Sequence, residues 1–237
     1  MCQNNSSVRP PGFDIFLLFY AGDFQLNDQS IVCTAKVHVN KGIIFFMSFP
    51  KRAYYRQIFT GLSISNETIE AKEFEECEFI RCSFVDCKFE SCKFLNCKLQ
   101  ECSISAVKPA NSRFLDVKFL NSKVIGFDWA RAVVIEDLAF TDCQINYSNF
   151  RLLKLAGMKL INCEAKEVDF IETDLSNGMF TNTDFENSLF FRTTLSNADF
   201  RGAKNYAIDA RNNTLKKTRF AMPEALALLD GLDIILE

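Results

Sequence analysis

The 237-residue sequence contains nine glycines, five prolines and one histidine. That supply of turn residues is thin for an antiparallel sandwich, whose tight hairpins draw on glycine and proline. With His38 alone and no Cys-x-x-Cys pair, the ligand spacings of structural zinc sites are missing too. There is no basic excess: 27 Lys and Arg face 30 Asp and Glu, for a formal net charge of −3. Proteins that bind a phosphate backbone usually carry the opposite balance, so direct nucleic-acid binding is not expected. No apolar run approaches the roughly 18 residues needed to span a bilayer. The longest, Phe13 to Ala21, is interrupted by Asp14, and only Arg9 supplies a basic residue before it, so it does not read as a secretory signal. The cytoplasm is the expected location.

What the chain has in quantity is phenylalanine, 25 residues, and cysteine, ten. Cys77, Cys82, Cys87, Cys92, Cys97 and Cys102 recur at every fifth position, and Cys143 and Cys163 are twenty apart. An apolar residue follows each by two, larger than cysteine in every case but Ala165. The series Phe74, Phe79, Phe84, Phe89, Phe94, Leu99, Ile104, Phe114, Phe119 and Val124 is broken only at Pro109. A second series, offset by one residue, runs without interruption from Ile135 to Phe200. Beyond the cysteines, the position two before is filled by small residues such as Ser112, Ser122, Ser148, Thr173, Gly178, Thr183 and Ala198.

A period of five matches neither the 3.6 of a helix nor the 2.0 of a strand, so the backbone has to turn a corner once per repeat. Four such repeats close a square coil of twenty residues. Cysteines twenty apart then stack on neighbouring coils at about 4.8 Å with parallel side chains, too far between Cβ atoms for an undistorted disulfide. Free thiols acting as small buried hydrophobes are expected.

The units CEFIR, CSFVD, CKFES and CKFLN, and later TDFEN, TTLSN and ADFRG, resemble the A(D/N)LXX units of the pentapeptide-repeat family over roughly residues 71–204. The resemblance implies an all-β fold, a right-handed quadrilateral β-helix in which the centre residue and the one two before it point inward. On this reading residues 47–73 hold an N-terminal cap and first strand, and residues 74–204 form the β-helix. A break is expected near 105–112, where Pro109 falls on an inward position, and a bulge at 125–134, where the segment GFDWAR absorbs the extra residue. Phe127, Asp128 and Trp129 in that bulge are candidates for a partner-contacting loop, the alternative being a tryptophan packed over a corner.

Residues 205–237 are similar to the C-terminal segment of many bacterial members and read as a short helical cap opening at Pro223 and closing at Gly231. Its apolar residues Leu226, Leu229, Leu232, Ile234 and Ile235 are candidate dimer contacts, since the Qnr and MfpA relatives dimerise through this tail. Residues 1–46 show no period of five and are an extension of uncertain status, with Met47 an alternative start. Cys33 and His38 lie there without a third group that would make them a nucleophile pair.

From residue 160 to 200 eight acids face two bases, Lys166 and Arg192. Folded at twenty residues per coil, Glu164, Glu167, Asp184 and Glu186 share a face, with Asp169, Glu172 and Asp174 on the next ones. An acidic rod of duplex-like width suits a basic DNA-binding groove, and the resemblance to Qnr and MfpA implies DNA gyrase or topoisomerase IV as partner. The rival reading is a solvated surface on a scaffold or effector rod with an unrelated protein partner. The projecting loops that define Qnr have no long counterpart here. No phosphate loop, nucleophile elbow or metal motif appears, so no catalytic residue, cofactor or metal is expected.

Overall fold

The computed structural model describes residues 30–31, 49–232 and 234. Three-residue strands follow one another at five-residue intervals and pair in parallel with strands one coil away. Four faces result. Face A stacks Ala53–Tyr55, Glu73–Glu75, Lys93–Leu95, Arg113–Leu115 and Val134–Glu136. Face B stacks Ile58–Thr60, Glu78–Ile80, Lys98–Gln100, Lys118–Leu120, Ala139–Thr141 and Lys159–Ile161. Face C holds Ser63–Ser65, Ser83–Val85, Ser103–Ser105 and Lys123–Ile125, and face D begins with Thr68–Glu70 and Lys88–Glu90. The middle residue of each strand is buried and its neighbours point outward, so a single apolar residue per repeat is enough to hold each side of the square.

The coil starts one turn before Phe74. Tyr54, Phe59, Ile64 and Ile69 keep the same period and are buried, and Phe49 closes the top by edge contacts to Tyr54, Phe59 and Phe74. These positions escape the cysteine pattern because no cysteine stands two before them. The strand Ser30–Ile31 pairs in parallel with Ile58 and Phe59 and covers part of the edge that the first coil presents on face B. Cys33, His38 and Met47 lie outside the described residues.

Each corner residue has a positive φ, such as Arg81 at 53° and Asn182 at 55°. Beyond residue 143, apart from Lys159–Ile161, the strands shorten to single bridges and the corners close as tight turns, with the Ser148 amide donating to the Ile145 carbonyl and Met158 to Leu155. The corners there are rich in residues that tolerate a left-handed backbone, among them Gly157, Asn177, Asn187 and Gly202. On one edge, Asn162 donates to Asp142 and Asn182 to Asn162, each at 3.1 Å, making an amide ladder between coils. Gly202 ends it. Its φ is 76°, and a Cβ there would collide with the Asn182 side chain. Gly202→Val is therefore expected to cost about 2 kcal/mol or more, and Gly202→Ala less, read from the shift in urea midpoint.

The two irregularities turn out to be one device. Pro109 sits buried at the inward position, in phase, but its repeat forms no strand between Ser105 and Arg113 and pairs only through the bridge of Lys88 with Lys108. Having no N–H, it cannot donate to the coil below, and the carbonyl it would have used, that of Asp128, accepts instead from Arg131 at 3.2 Å in the 3-10 turn Trp129–Arg131. Trp129 keeps the first series' phase, five residues after Val124, and the extra residue falls after it. Register consequently moves from twenty residues, as in Phe94 with Phe114, to 21, as in Phe114 with Ile135.

The eight cysteines of the coil are free and buried. Their thiols lie within hydrogen-bonding reach of carbonyls on two coils, Cys97 Sγ at 3.3 Å from Phe74 O and 3.4 Å from Leu95 O. Serine and threonine repeat the contact further along, as Thr183 does with Leu160 O at 2.9 Å. Cysteine, serine and threonine share this position because each offers a small side chain with one donor, and apolar residues such as Val117, Val168 and Ala198 fill it elsewhere without that bond. Burial pushes the Cys97 thiol up to about 12 and raises Cys77, Cys87 and Cys92 as well, which keeps these sulfurs protonated and unreactive near neutral pH.

Candidate functional site

The interior offers no room for a ligand. Its void among Phe74, Phe94, Phe114 and Phe127 measures about 10 Å³, no more than one water occupies. No cluster of three metal-ligating side chains occurs among the described residues. Recognition therefore has to use the outer surface, where the residues flanking each buried centre are free to vary.

The acidic residues fall on three consecutive faces. Glu164 and Asp184 are bridge neighbours on face C, Asp169 lies on face D beside Asn149 and Leu189, and Asp174 lies on face A between Lys154 and Thr194. Glu167 and Glu172 occupy the corners between them, with φ of 55° and 56°. Glu164, Glu167, Glu172 and Glu186 are exposed.

Asp184 differs from the others, being 8% exposed. Burial pushes its carboxyl up, but the Asn205 amide at 2.8 Å, the Glu186 N–H, and Lys166 and Lys204 outweigh burial and hold it below the usual value. Lys166 also binds Glu186 at 2.8 Å, Arg192 lies 3.7 Å from Glu172, and Arg151 lies 3.7 Å from Asp169. Asp174 accepts from the Ser176 hydroxyl and N–H. The acidic surface is thus interleaved with base, and its unpaired charge centres on Glu164 and Glu167. These partners were missed in the sequence although several are twenty residues apart, as Lys166 is from Glu186 and Arg192 from Glu172.

Two of the three proposed loop contacts are corrected. Trp129 and Phe127 are fully buried, stacked on each other with centroids 4.0 Å apart, because they occupy the inward positions of face D. Asp128 alone reaches the surface, paired with Arg131 and accepting from Asn149 at 2.9 Å.

At the far end the coil continues past residue 204, with Asp199 bridging Arg219 and Phe220 stacking on Phe200 at 5.4 Å. A 3-10 helix, Glu224–Leu229, follows and places Ala227 and Leu228 against the core. Leu226, Leu232 and Ile234 are left exposed, at 45%, 41% and 52%, while Leu229 is half-buried. Ile235 lies outside the described residues.

The family model described as "Pentapeptide repeat region" matches residues 72–150, and that described as "Pentapeptide repeats (8 copies)" matches 148–187 and 169–204. The chain belongs to the pentapeptide-repeat family. The two models together take in more than half of it and meet where the coil changes its turns. Among solved structures, full-length QnrB1, a plasmid-mediated fluoroquinolone resistance protein, is similar at 18% identity, with 75% of this chain and 91% of that chain covered and a TM-score of 0.56. A trypsin-treated form of QnrB1 is similar at 19% identity, covering 78% of this chain and 98% of that one, with a TM-score of 0.53. At these identities the likeness is one of fold. No curated protein matches the sequence. No helix among the described residues is long and apolar enough to cross a membrane.

Proposed function

We propose that this pentapeptide-repeat protein is a non-catalytic, cytoplasmic interaction protein that acts as a dimeric mimic of duplex DNA toward a type II topoisomerase, DNA gyrase or topoisomerase IV. The observation that supports this most is the exposed acidic surface of Glu164, Glu167, Glu172 and Glu186 on adjacent coils of a straight rod. Carboxylates repeated along a rigid rod are electrostatically complementary to a groove built for phosphates. The fluoroquinolone resistance of QnrB1, whose fold this chain shares, points to the same class of partner. A supercoiling assay with gyrase, with and without quinolone and with the protein in molar excess, tests the reading. A change in supercoiling or in drug inhibition, lost in Glu164→Lys/Glu167→Lys, is expected; no effect overturns it.

A scaffold for an unrelated protein partner is the second reading, and one observation favours it. Lys166, Lys204 and Arg192 neutralise part of the acidic set, which a pure phosphate mimic does not require.

The exposed Leu226, Leu232 and Ile234 beside Met222 make an apolar surface suited to a two-fold contact. Light scattering at micromolar concentration is expected to return a dimer mass, and Leu226→Lys with Leu232→Lys a monomer. A monomeric parent protein would contradict this.

A further inference from the structure

On face A the ladder opens between Val134–Glu136 and the coil below. Elsewhere a centre residue's N–H donates to the residue before the next centre, as Ile145 does to Glu164; a corner N–H donates downward, as Asp142 does to Ile161; and the lower strand donates back, as Lys159 does to Leu138. The three equivalents here, from Ile135 to Lys154, from Asp137 to Ala156 and from Lys154 to Val133, are absent among the described residues. A cleft of about 240 Å³ takes their place, floored by Ile135, Leu138, Leu155 and Met158. Its origin is the extra residue after Trp129, which lengthens the corner leading into Val134–Glu136 while the coil below turns tightly, with Leu153 N–H on Phe150 O. Val133 and Leu152, each two residues before a lining residue of the slit, Ile135 and Lys154, are 59% and 66% exposed.

We infer that this slit is a docking site for one extended peptide segment of a partner protein, which adds as a strand between the two lips. Three features favour that occupant. The lips present N–H and C=O groups without a protein partner at strand periodicity, and an extended backbone supplies both complements in that spacing by displacing water. The cleft falls short of the roughly 300 Å³ of small-molecule pockets, so it suits an inserted apolar side chain. Glu136 and Asp137 on the upper lip outnumber Lys154 on the lower, so the margin is net acidic and the segment it fits alternates apolar with basic residues. The site does not depend on the topoisomerase reading.

The test uses the full chain and a short fluorescent peptide alternating valine and lysine. In the free protein, amide exchange at Ile135, Asp137 and Lys154 is expected to be much faster than at Ile145, Asp142 and Lys159; equal protection overturns the slit itself. Added peptide is expected to bind and to protect those three amides. Val133→Asp with Leu152→Asp, both at exposed positions, is expected to weaken binding about tenfold or more, and Tyr147→Asp on another corner to leave it unchanged. Absence of protection at about 1 mM peptide, or equal binding by a backbone N-methylated peptide, overturns the proposal.

Discussion

Phe150→Ala is expected to cost about 3 to 5 kcal/mol and to divide unfolding into two steps. Phe150 is fully buried in the column that carries the register shift, stacked on Trp129 at 5.8 Å and on Phe170 at 5.3 Å, with ring planes within 9° and 6° of parallel. Its removal takes away ring contacts on both sides, and the coils cannot close over the void because neighbouring faces fix their spacing. A solenoid is stabilised by nearest-neighbour interfaces, so one weakened interface separates the rod into two cooperative blocks. The seam is already the weakest place, since face A lacks its ladder bonds one corner away. Urea unfolding followed by Trp129 fluorescence and by circular dichroism should coincide in the parent protein and diverge in the variant. Tyr147→Ala, at an exposed corner, should change stability by no more than about 0.5 kcal/mol. Coincident transitions and a loss under about 1 kcal/mol for Phe150→Ala would refute the stacked-column account.

The second large effect is alkaline destabilisation. Burial holds the Cys97 thiol up at about 12, against 9.0 for an ordinary thiol, and raises Cys77, Cys87 and Cys92 in the same direction. Between these values the folded chain keeps protons that the unfolded chain releases, so stability falls as pH rises. Below about pH 9 the stabilisation from the protonated thiols is present in full; one unit above, Cys97 alone removes on the order of 1 kcal/mol, and the other raised thiols add to the loss. Urea midpoints measured under reductant at neutral pH and near pH 10 should differ accordingly. Replacement of Cys97 by Ala should flatten part of the dependence. A midpoint independent of pH over that interval would rule the effect out.

The fold was legible because its interior is written with a fixed period. Phe74 to Phe200 mark the buried centres of the repeats, and the cysteines two residues earlier mark a second inward slot. The same rule, applied without requiring cysteine, extends the coil back to Tyr54; past Phe200 it lapses at the exposed Asn205 and Ala210 and resumes at Leu215 and Phe220. Trp129 shows the limit of the rule. It stands five residues after Val124 and so continues the series, but its size and the register shift beside it made it look like a surface loop. Burial depends on which side of the bulge the extra residue falls, and that is set by the proline one coil above.

The outward positions were legible as composition and not as a site. Eight acids between residues 160 and 200 are plain in the sequence, but the protection of Asp184 by Lys166, Lys204 and Asn205 depends on coils brought together in space. The slit on face A is traced in the residue pattern only by the extra residue after Trp129, because Ile135 and Leu155 both sit on phase within the second series.

The period, the square coil and the buried centres of the two regular series are written in the residue pattern, since one apolar side chain every fifth position requires a corner in every repeat if all are to be buried. Only the tertiary structure decided where the extra residue is absorbed, which carboxylates stay free of base, and where the wall of the rod opens. Those outcomes follow from contacts between coils, and a contact at twenty or 21 residues' separation is fixed by the register of the whole stack.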